Sequence, residues 1–132
     1  MTEPYTYYIK EIVRVIDGDS FVARIDLGFH IQLEKNIRLL GIDAPECRTL
    51  DETVKKYGLR AKEKLEEYLT GGDEKIIFVS ASVDDKYGRG LGTVYKEGKD
   101  VTANEFMLAN GYAWYYNGGK RVGEDLHMLS EL

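Results

Sequence analysis

The chain has 132 residues, of which 43% are hydrophobic and 31% charged, and its net charge at pH 7 is −5. This length fits one domain with a single core, and the composition is ordinary for a globular protein. A single cysteine excludes an internal disulfide, and no apolar run is long enough to cross a membrane. The acidic balance argues against a protein that binds nucleic acid through net charge alone.

The N-terminal part of the chain predicts a leader and three strands. Residues 1–7 contain no basic or apolar targeting segment, so we expect a loose leader, no signal peptide and a cytoplasmic or otherwise intracellular location. Alternating apolar residues predict strands over residues 8–16, 20–25 and 29–40. Asp-Gly at 17–18 indicates a tight hairpin between the first two strands. The third strand should present Phe29, Ile31 and Leu33 on one face and contain a bulge or bend at its polar residues 34–36.

The second half of the chain predicts two helices and two more strands. Apolar residues spaced by three and four predict a helix over 54–69, which the glycines at 71–72 should end in a left-handed conformation. Gly58 inside it is expected to weaken the helix. Strands follow over 75–81 and 91–95. Thr102 and Glu105 form a capping box that starts a second helix, which Gly111 ends.

The predicted element order is βββαββα, which is typical of a five-stranded Greek-key barrel of OB type. The chain is therefore expected to be a single domain over 1–132, mainly β with α (α+β). Residues 117–132 form a polar tail that has room for a short helix near its end.

A segment of nine residues, Arg-Leu-Leu-Gly-Ile-Asp-Ala-Pro-Glu at 38–46, holds an unusual concentration of polar groups. Gly41 and Pro45 should end the third strand. Asp43 and Glu46 follow within a few residues of Arg38. The alternative is a strand that runs into a polar proline loop without a chemical role.

Three turns, at 17–19, 43–46 and 85–89, could meet at one rim of a closed barrel. Asp19, Asp43 and the carbonyl of Ala44 would then give an all-oxygen site that suits Ca²⁺. Arg38 and Arg89 could bind phosphate oxygens, or they could simply bridge surface carboxylates. The two histidines, His30 and His127, are isolated in the sequence, which argues against zinc.

Several further residues could contribute to a site, and each also has an ordinary explanation. Glu46 could orient or deprotonate a water, or be a solvated loop carboxylate. Lys86 and Tyr87 could hold a phosphate and stack on a base, or be turn residues. Trp114, Tyr115 and Tyr116 are more typical of core and rim packing. Cys47 lacks a nearby activating partner in the sequence and is expected to be inert.

Five segments together resemble the staphylococcal nuclease (thermonuclease) family. The resemblance extends from about residue 9 to residue 116. The matching segments are Val-Ile-Asp-Gly-Asp-Ser at 15–20, the segment at 38–46, Lys-Tyr-Gly at 56–58, Asp-Lys-Tyr-Gly-Arg-Gly at 85–90, and residues 104–113. The resemblance implies a Ca²⁺-dependent phosphodiesterase of OB fold that cleaves DNA and RNA on the 5′-oxygen side and leaves 3′-phosphates.

The resemblance also implies a role for individual residues. Asp19 and Asp43 would bind the metal through their carboxylates and Ala44 through its carbonyl. Glu46 would be the general base or water-orienting group. Arg38 and Arg89 would stabilise the transition-state charge, with Arg89 near the leaving oxygen. The nucleotide site would be lined by Lys86, Tyr87 and a tyrosine at 115 or 116. We expect a monomer acting on single-stranded or locally open nucleic acid, with no membrane partner.

Two departures from the family pattern leave other functions open. The family prototype has threonine where this chain has Ala44, and the prototype is basic whereas this chain is acidic. Residues 47–64 nevertheless contain six basic and three acidic side chains. One alternative is a catalytically silent module that binds nucleic acid or a protein partner, although such a module should have lost some of the charged site residues. A structural OB domain without a nucleic-acid role is a third.

Overall fold

The computed structural model of the chain describes residues 5–81 and 88–116. Its elements in chain order are β1 (Thr6–Asp17), β2 (Ser20–Asp26), β3 (Gln32–Leu39), β4 (Ile42–Asp43), α1 (Glu52–Thr70), β5 (Ile76–Ser80), β6 (Gly90–Lys96), α2 (Ala103–Ala109) and β7 (Trp114–Tyr115). No helix within these ranges is long and apolar enough to cross a membrane.

Five of the strands form a closed barrel in the order β1-β2-β3-β6-β5, and the β1–β5 pairing closes it. The β3–β6 pair is parallel and the other barrel pairs are antiparallel. The predicted OB-type α+β barrel with two helices is confirmed. The short strands β4 and β7, which the sequence did not indicate, pair with each other outside the barrel.

The core lies inside the barrel and beneath the two helices. The predicted inward residues of β2, Phe21, Ala23 and Ile25, are all buried. Leu65 of α1 and Met107 of α2 are fully buried in the same cluster. Alternation along β2 and helical spacing along α1 therefore identified this part of the core from sequence.

The prediction for the start of the third strand was wrong. Phe29 and His30 have φ values of 53° and 64°, so they form a turn, and β3 begins at Gln32. Phe29 is 94% exposed, and Ile31 and Leu33 are exposed as well. The same face of β3 becomes buried only at Ile37, where the pairing with β6 begins. Alternation identifies a face but does not show where along the strand that face is covered.

Of the bulge or bend expected at 34–36, the bulge is absent, because the β2–β3 register is continuous there. Register irregularities occur instead at three places in β1. Of these polar residues, Glu34 is exposed and residues 35 and 36 are partly exposed, so their polarity needs no bulge.

Of the predictions for the N-terminal leader and for the helix ends, some were confirmed and others were wrong. Thr6 and Tyr7 belong to β1 and pair with β5, so this part of the expected leader is a strand. Gly71 has a φ of −85° and is not left-handed. The capping box of α2 is present, and Gly111 after it has a φ of 76°, as expected. The polar tail at 117–132 lies outside the described residues.

Candidate active site

A sharp reversal after β3 brings the two ends of the segment 38–46 together. Gly41 has a φ of 84°, a conformation that glycine adopts without strain. The chain then enters β4, where Ile42 pairs with Tyr115 of β7. The backbone N–H of Tyr116 donates to the Gly41 carbonyl at 2.9 Å. The reversal places Arg38, Asp43 and Tyr116 at one rim of the barrel.

Arg38 is the centre of this rim. Its Nη1 lies 2.6 Å from Oδ2 of Asp19, and its Nη2 lies 3.5 Å from Oδ1 of Asp43. Nη2 also donates to the Ile42 carbonyl at 2.9 Å. Both carboxylates are buried, with exposures of 5% for Asp19 and 3% for Asp43. The predicted meeting of the 17–19 and 43–46 turns is therefore present.

The charge of Arg38 depends on its carboxylate partners. Burial by itself lowers the pKa of Arg38, but the carboxylates of Asp19 and Asp43 more than offset it, so that the net pKa is raised. Arg38 therefore remains a cation. The cluster brings two carboxylates and one guanidinium together in a largely buried place.

The hairpin turn at 17–19 holds the loop that carries Glu46. Oδ2 of Asp19 accepts from the backbone N–H of Ala44 at 2.9 Å, and Oδ1 of Asp17 accepts from that of Cys47 at 3.0 Å. A Cβ on Gly18 would lie 2.7 Å from the Cβ of Ala61 and 3.0 Å from that of Ala44. The glycine between the two aspartates therefore permits the close packing of hairpin, loop and helix.

The peptide that joins Glu46 to Cys47 is held at both ends. Its N–H donates to Asp17, and its carbonyl oxygen would lie 2.3 Å from a Cβ on Gly58. Helix α1 thus passes directly against this peptide, and only a glycine fits at the crossing. Gly58, which the sequence marked as a weak point of the helix, is needed for packing. The Glu46 side chain itself is exposed and can reach solvent.

The donor set suits a hard cation. Asp19 and Asp43 bring carboxylate oxygens to adjacent nitrogens of one guanidinium, and such hard oxygens are the donors that Ca²⁺ and Mg²⁺ prefer. Within the described residues, no group of three His, Cys, Asp or Glu side chains could hold a metal ion. Backbone carbonyl, water or phosphate oxygens would have to complete the shell, as calcium accepts. Ala44 is 1% exposed, and its methyl group packs in the core. Of this residue, only the backbone carbonyl could bind a metal ion.

Arg89 lies directly before β6, which pairs with the strand that carries Arg38. In the parallel β3–β6 pair, Arg38 is the partner of Leu91, and Arg89 precedes Leu91 by two residues. The chain therefore places Arg89 beside the end of β3, next to the strand of Arg38. Arg89 is half-buried.

The predicted nucleotide-lining residues are only partly described. Tyr115 is 65% exposed, and the Tyr116 ring centroid lies 5.7 Å from Cζ of Arg38, within the range of a cation–π contact. Trp114 is buried, in line with the packing interpretation of the aromatic cluster. Lys86 and Tyr87 lie outside the described residues.

Cys47 borders the site. Burial, followed by the hydrogen bond with Asp17, raises the pKa of its thiol to about 12. The thiol is protonated at neutral pH and therefore a poor nucleophile.

Two positioning residues were not identified from the sequence. Asp17 had a signal, since it is the first acid of the Asp-Gly-Asp turn, but only Asp19 was given a role. Asn104 is buried, and its Nδ2 donates to the Leu40 carbonyl at 2.7 Å while its Oδ1 accepts from the N–H of Val94 at 3.2 Å. It joins α2 to the end of β3, next to the reversal that forms the site.

Comparison with known proteins identifies the family. The family model described as staphylococcal nuclease homologue matches residues 36–131. Endonuclease YhcR of Bacillus subtilis is 35% identical over 109 residues, covering 78% of this chain and 8% of that protein. Staphylococcal-like nuclease CAN1 of Arabidopsis thaliana is 39% identical over 80 residues, covering 61% and 21%.

Thermonuclease of Staphylococcus hyicus is 30% identical over 103 residues, covering 78% of this chain and 56% of that protein. The chain thus spans from less than a tenth to somewhat more than half of the length of these three relatives. Together with the barrel and the charged rim, these matches show that the chain belongs to the staphylococcal nuclease family.

Proposed function

We propose that this chain is a Ca²⁺-dependent nuclease that hydrolyses phosphodiester bonds of DNA and RNA. The observation that carries the proposal is the buried cluster in which Arg38 joins Asp19 and Asp43, directly beside the held peptide of Glu46. The family membership and the nuclease names of its relatives support it. A module that had lost catalysis would have no need to keep this buried set of charged side chains.

The charged residues have distinct proposed roles. Asp19, Asp43 and the Ala44 carbonyl would hold Ca²⁺, which when bound would neutralise phosphate charge and favour a nucleophilic water. Glu46 takes a proton from the water oxygen as that oxygen attacks phosphorus, and the bond to the 5′-oxygen breaks opposite to it. The departing 5′-oxygen takes up a proton from solvent water, so that the products are a 3′-phosphate and a 5′-hydroxyl.

The two arginines stabilise the charge that develops on the phosphate oxygens. A guanidinium has five N–H donors, and the contacts of Arg38 with Asp19, Asp43 and Ile42 use only its terminal nitrogens. Donors therefore remain for a phosphate. Arg89, which directly precedes the strand paired with β3, would serve the leaving-oxygen side.

The substrate is proposed to be single-stranded or locally open. Tyr115 is exposed at the rim, and Tyr116 lies against Arg38, so that aromatic faces are available beside the phosphate site. Lys86 and Tyr87 are proposed to complete this side. We also propose that the chain acts as a monomer, because every residue of the proposed machinery comes from one chain.

The test is cleavage of a single-stranded oligonucleotide by the wild type and by Glu46→Gln, with Ca²⁺ or with a chelator. We expect cleavage that requires Ca²⁺ and falls by roughly 10²–10⁴-fold in Glu46→Gln. The control is Glu66→Gln, an identical charge change at an exposed position in the second half of α1. Full activity of Glu46→Gln would refute its role. Retained binding without cleavage in either buffer would favour the silent module.

A further inference from the structure

One stretch of this acidic chain has the opposite charge. Residues 48–62 carry five basic and two acidic side chains, whereas the whole chain has a net charge of −5. Four of the five basic residues are exposed and Lys62 is half-buried. We call these five the α1 basic surface: Arg48, Lys55, Lys56, Arg60 and Lys62.

The stability of the helix does not explain this arrangement. A helix dipole favours acidic side chains near its N-terminus and basic ones near its C-terminus. In α1 most of the basic residues lie in the first half, while Glu63, Glu66 and Glu67 lie in the second half and the last turn has no basic residue. Asp51 at the N-cap and Glu52 in the first turn follow the preferred order, but the basic residues after them and the acidic second half run against it.

The α1 basic surface is continuous with the candidate active site. Gly58 of α1 lies against the Glu46 carbonyl. Lys55 and Lys62 are three residues before and four residues after Gly58, so they project from the same side of the helix. Lys62 is close enough to Cys47 for its charge to act on the thiol, partly opposing the rise of its pKa. The α1 basic surface therefore adjoins the loop that carries Glu46 and Cys47.

The surface continues along the exposed side of α1 as an open groove. Lys55, Lys56 and Arg60 line this groove together with Leu59, which is 48% exposed, and with Glu52 and Glu63. Lys56 and Arg60 are four residues apart, which places them next to each other on the helix at about 6 Å. Neighbouring cations on an open surface can contact successive phosphates of a flexible strand.

We propose that the α1 basic surface binds the phosphate backbone of the nucleic-acid strand beyond the nucleotide at which it is cut. The occupant is a polyanion rather than an apolar or basic partner, because the groove has three cations against two carboxylates and lies on the helix that packs against the Glu46 peptide. This inference rests on the proposed nuclease function and extends it. It explains how a protein with a negative net charge would bind a long nucleic-acid strand, because the α1 basic surface is positive and adjoins the candidate active site.

The test compares two double variants in the Glu46→Gln background, with a chelator present, so that the strand is bound and not cut. Lys56→Gln/Arg60→Gln removes two cations from the α1 basic surface. Lys10→Gln/Lys99→Gln removes two exposed cations elsewhere and serves as the control. The affinity for a long single-stranded oligonucleotide is measured at several salt concentrations. A single strand contributes a slope of about −0.7 in log K against log salt for each phosphate contact.

We expect Lys56→Gln/Arg60→Gln to make this slope shallower by about 1.4 and to weaken binding, since two contacts are lost. The control should match the Glu46→Gln parent. An unchanged slope and affinity, or an equal loss in the control, would overturn the inference. Weaker binding to anionic lipid vesicles with unchanged oligonucleotide binding would overturn it as well.

A second comparison separates this inference from the proposed function. With Glu46 intact, cleavage of a dinucleotide should be equal in the wild type and in Lys56→Gln/Arg60→Gln, while the KM for a long strand should rise in the variant. Equal cleavage of both substrates by both proteins would leave the nuclease standing and refute the surface. Absence of any cleavage, with oligonucleotide binding that still depends on Lys56 and Arg60, would refute the nuclease and leave the surface standing.

Discussion

Replacing Gly58 by alanine should slow catalysis even though alanine is the better helix former. A Cβ at this position would lie 2.3 Å from the carbonyl oxygen of Glu46 and 2.6 Å from its carbon, whereas ordinary contact begins near 3.4 Å. Because these are backbone atoms, no flexible side chain can move aside. The peptide or the helix must therefore shift by about 1 Å. Because protein interiors are as densely packed as crystals of small organic molecules, such a shift displaces neighbouring groups as well.

The effect on stability and the effect on rate should separate. Alanine in a helix gains about 1 kcal/mol over glycine, while overpacking costs about 1–3 kcal/mol. The free energy of unfolding should therefore stay the same or fall by up to about 2 kcal/mol. A displacement of about 1 Å at a catalytic group can cost about 10²-fold in rate. Because Arg38 and Asp43 lie on β3 and β4 rather than against Gly58, kcat should fall more than KM rises.

The assay is steady-state cleavage of a dinucleotide, with urea unfolding measured in parallel. The control is Thr53→Ala, which also introduces alanine into α1 at an exposed position. It should leave kcat and KM unchanged. A Gly58→Ala variant that is about 1 kcal/mol more stable and fully active would show that α1 does not constrain the Glu46 peptide.

Two further predictions concern the surroundings of the site. Asn104→Ala should lower the free energy of unfolding by about 2–3 kcal/mol, because the part-buried carbonyl of Leu40 and the buried N–H of Val94 lose their partner. Asn110→Ala, at an exposed residue that also donates to a carbonyl, should cost less than about 1 kcal/mol, and equal losses would contradict this role. For Cys47, the pKa is raised to about 12 in the folded chain and is about 8.5 in an unfolded one. Alkylation near pH 9 should therefore be much slower in the folded chain than in urea, and the contribution of this thiol to stability should be lost as pH rises from about 8.5 toward 12. Equal alkylation rates in the two states would refute the shift.

Local patterns in the sequence were sufficient for the elements whose signals come from near neighbours. Alternation in β2, the spacing in α1 and the capping box of α2 each arise from residues within a few positions of one another, and each was confirmed. The same holds for the two-residue turn at Gly18 and Asp19. The close occurrence of Arg38, Asp43 and Glu46 also followed from the sequence, because one short segment contains them.

Tertiary contacts decided what local patterns leave open. The face of β3 that holds Leu33 and Ile37 is continuous in sequence, yet β6 covers only its later part, so Leu33 is exposed and Ile37 is buried. Neither short strand outside the barrel could be read from sequence, because two residues carry no periodicity.

The arrangement of the site depended on the same kind of contact. Alone, Gly58 is an unfavourable helix residue, and it acquires its role only because the Glu46 peptide packs against it. In the sequence Asp17 is only the first residue of a turn, and its second role, accepting a hydrogen bond from the N–H of Cys47, depends on the tertiary fold. The sequence by itself determined which chemical groups are available and which elements carry them. Packing of chain segments distant in sequence decided where those groups point, because the close approach of two backbones is a property of the pair and not of either segment.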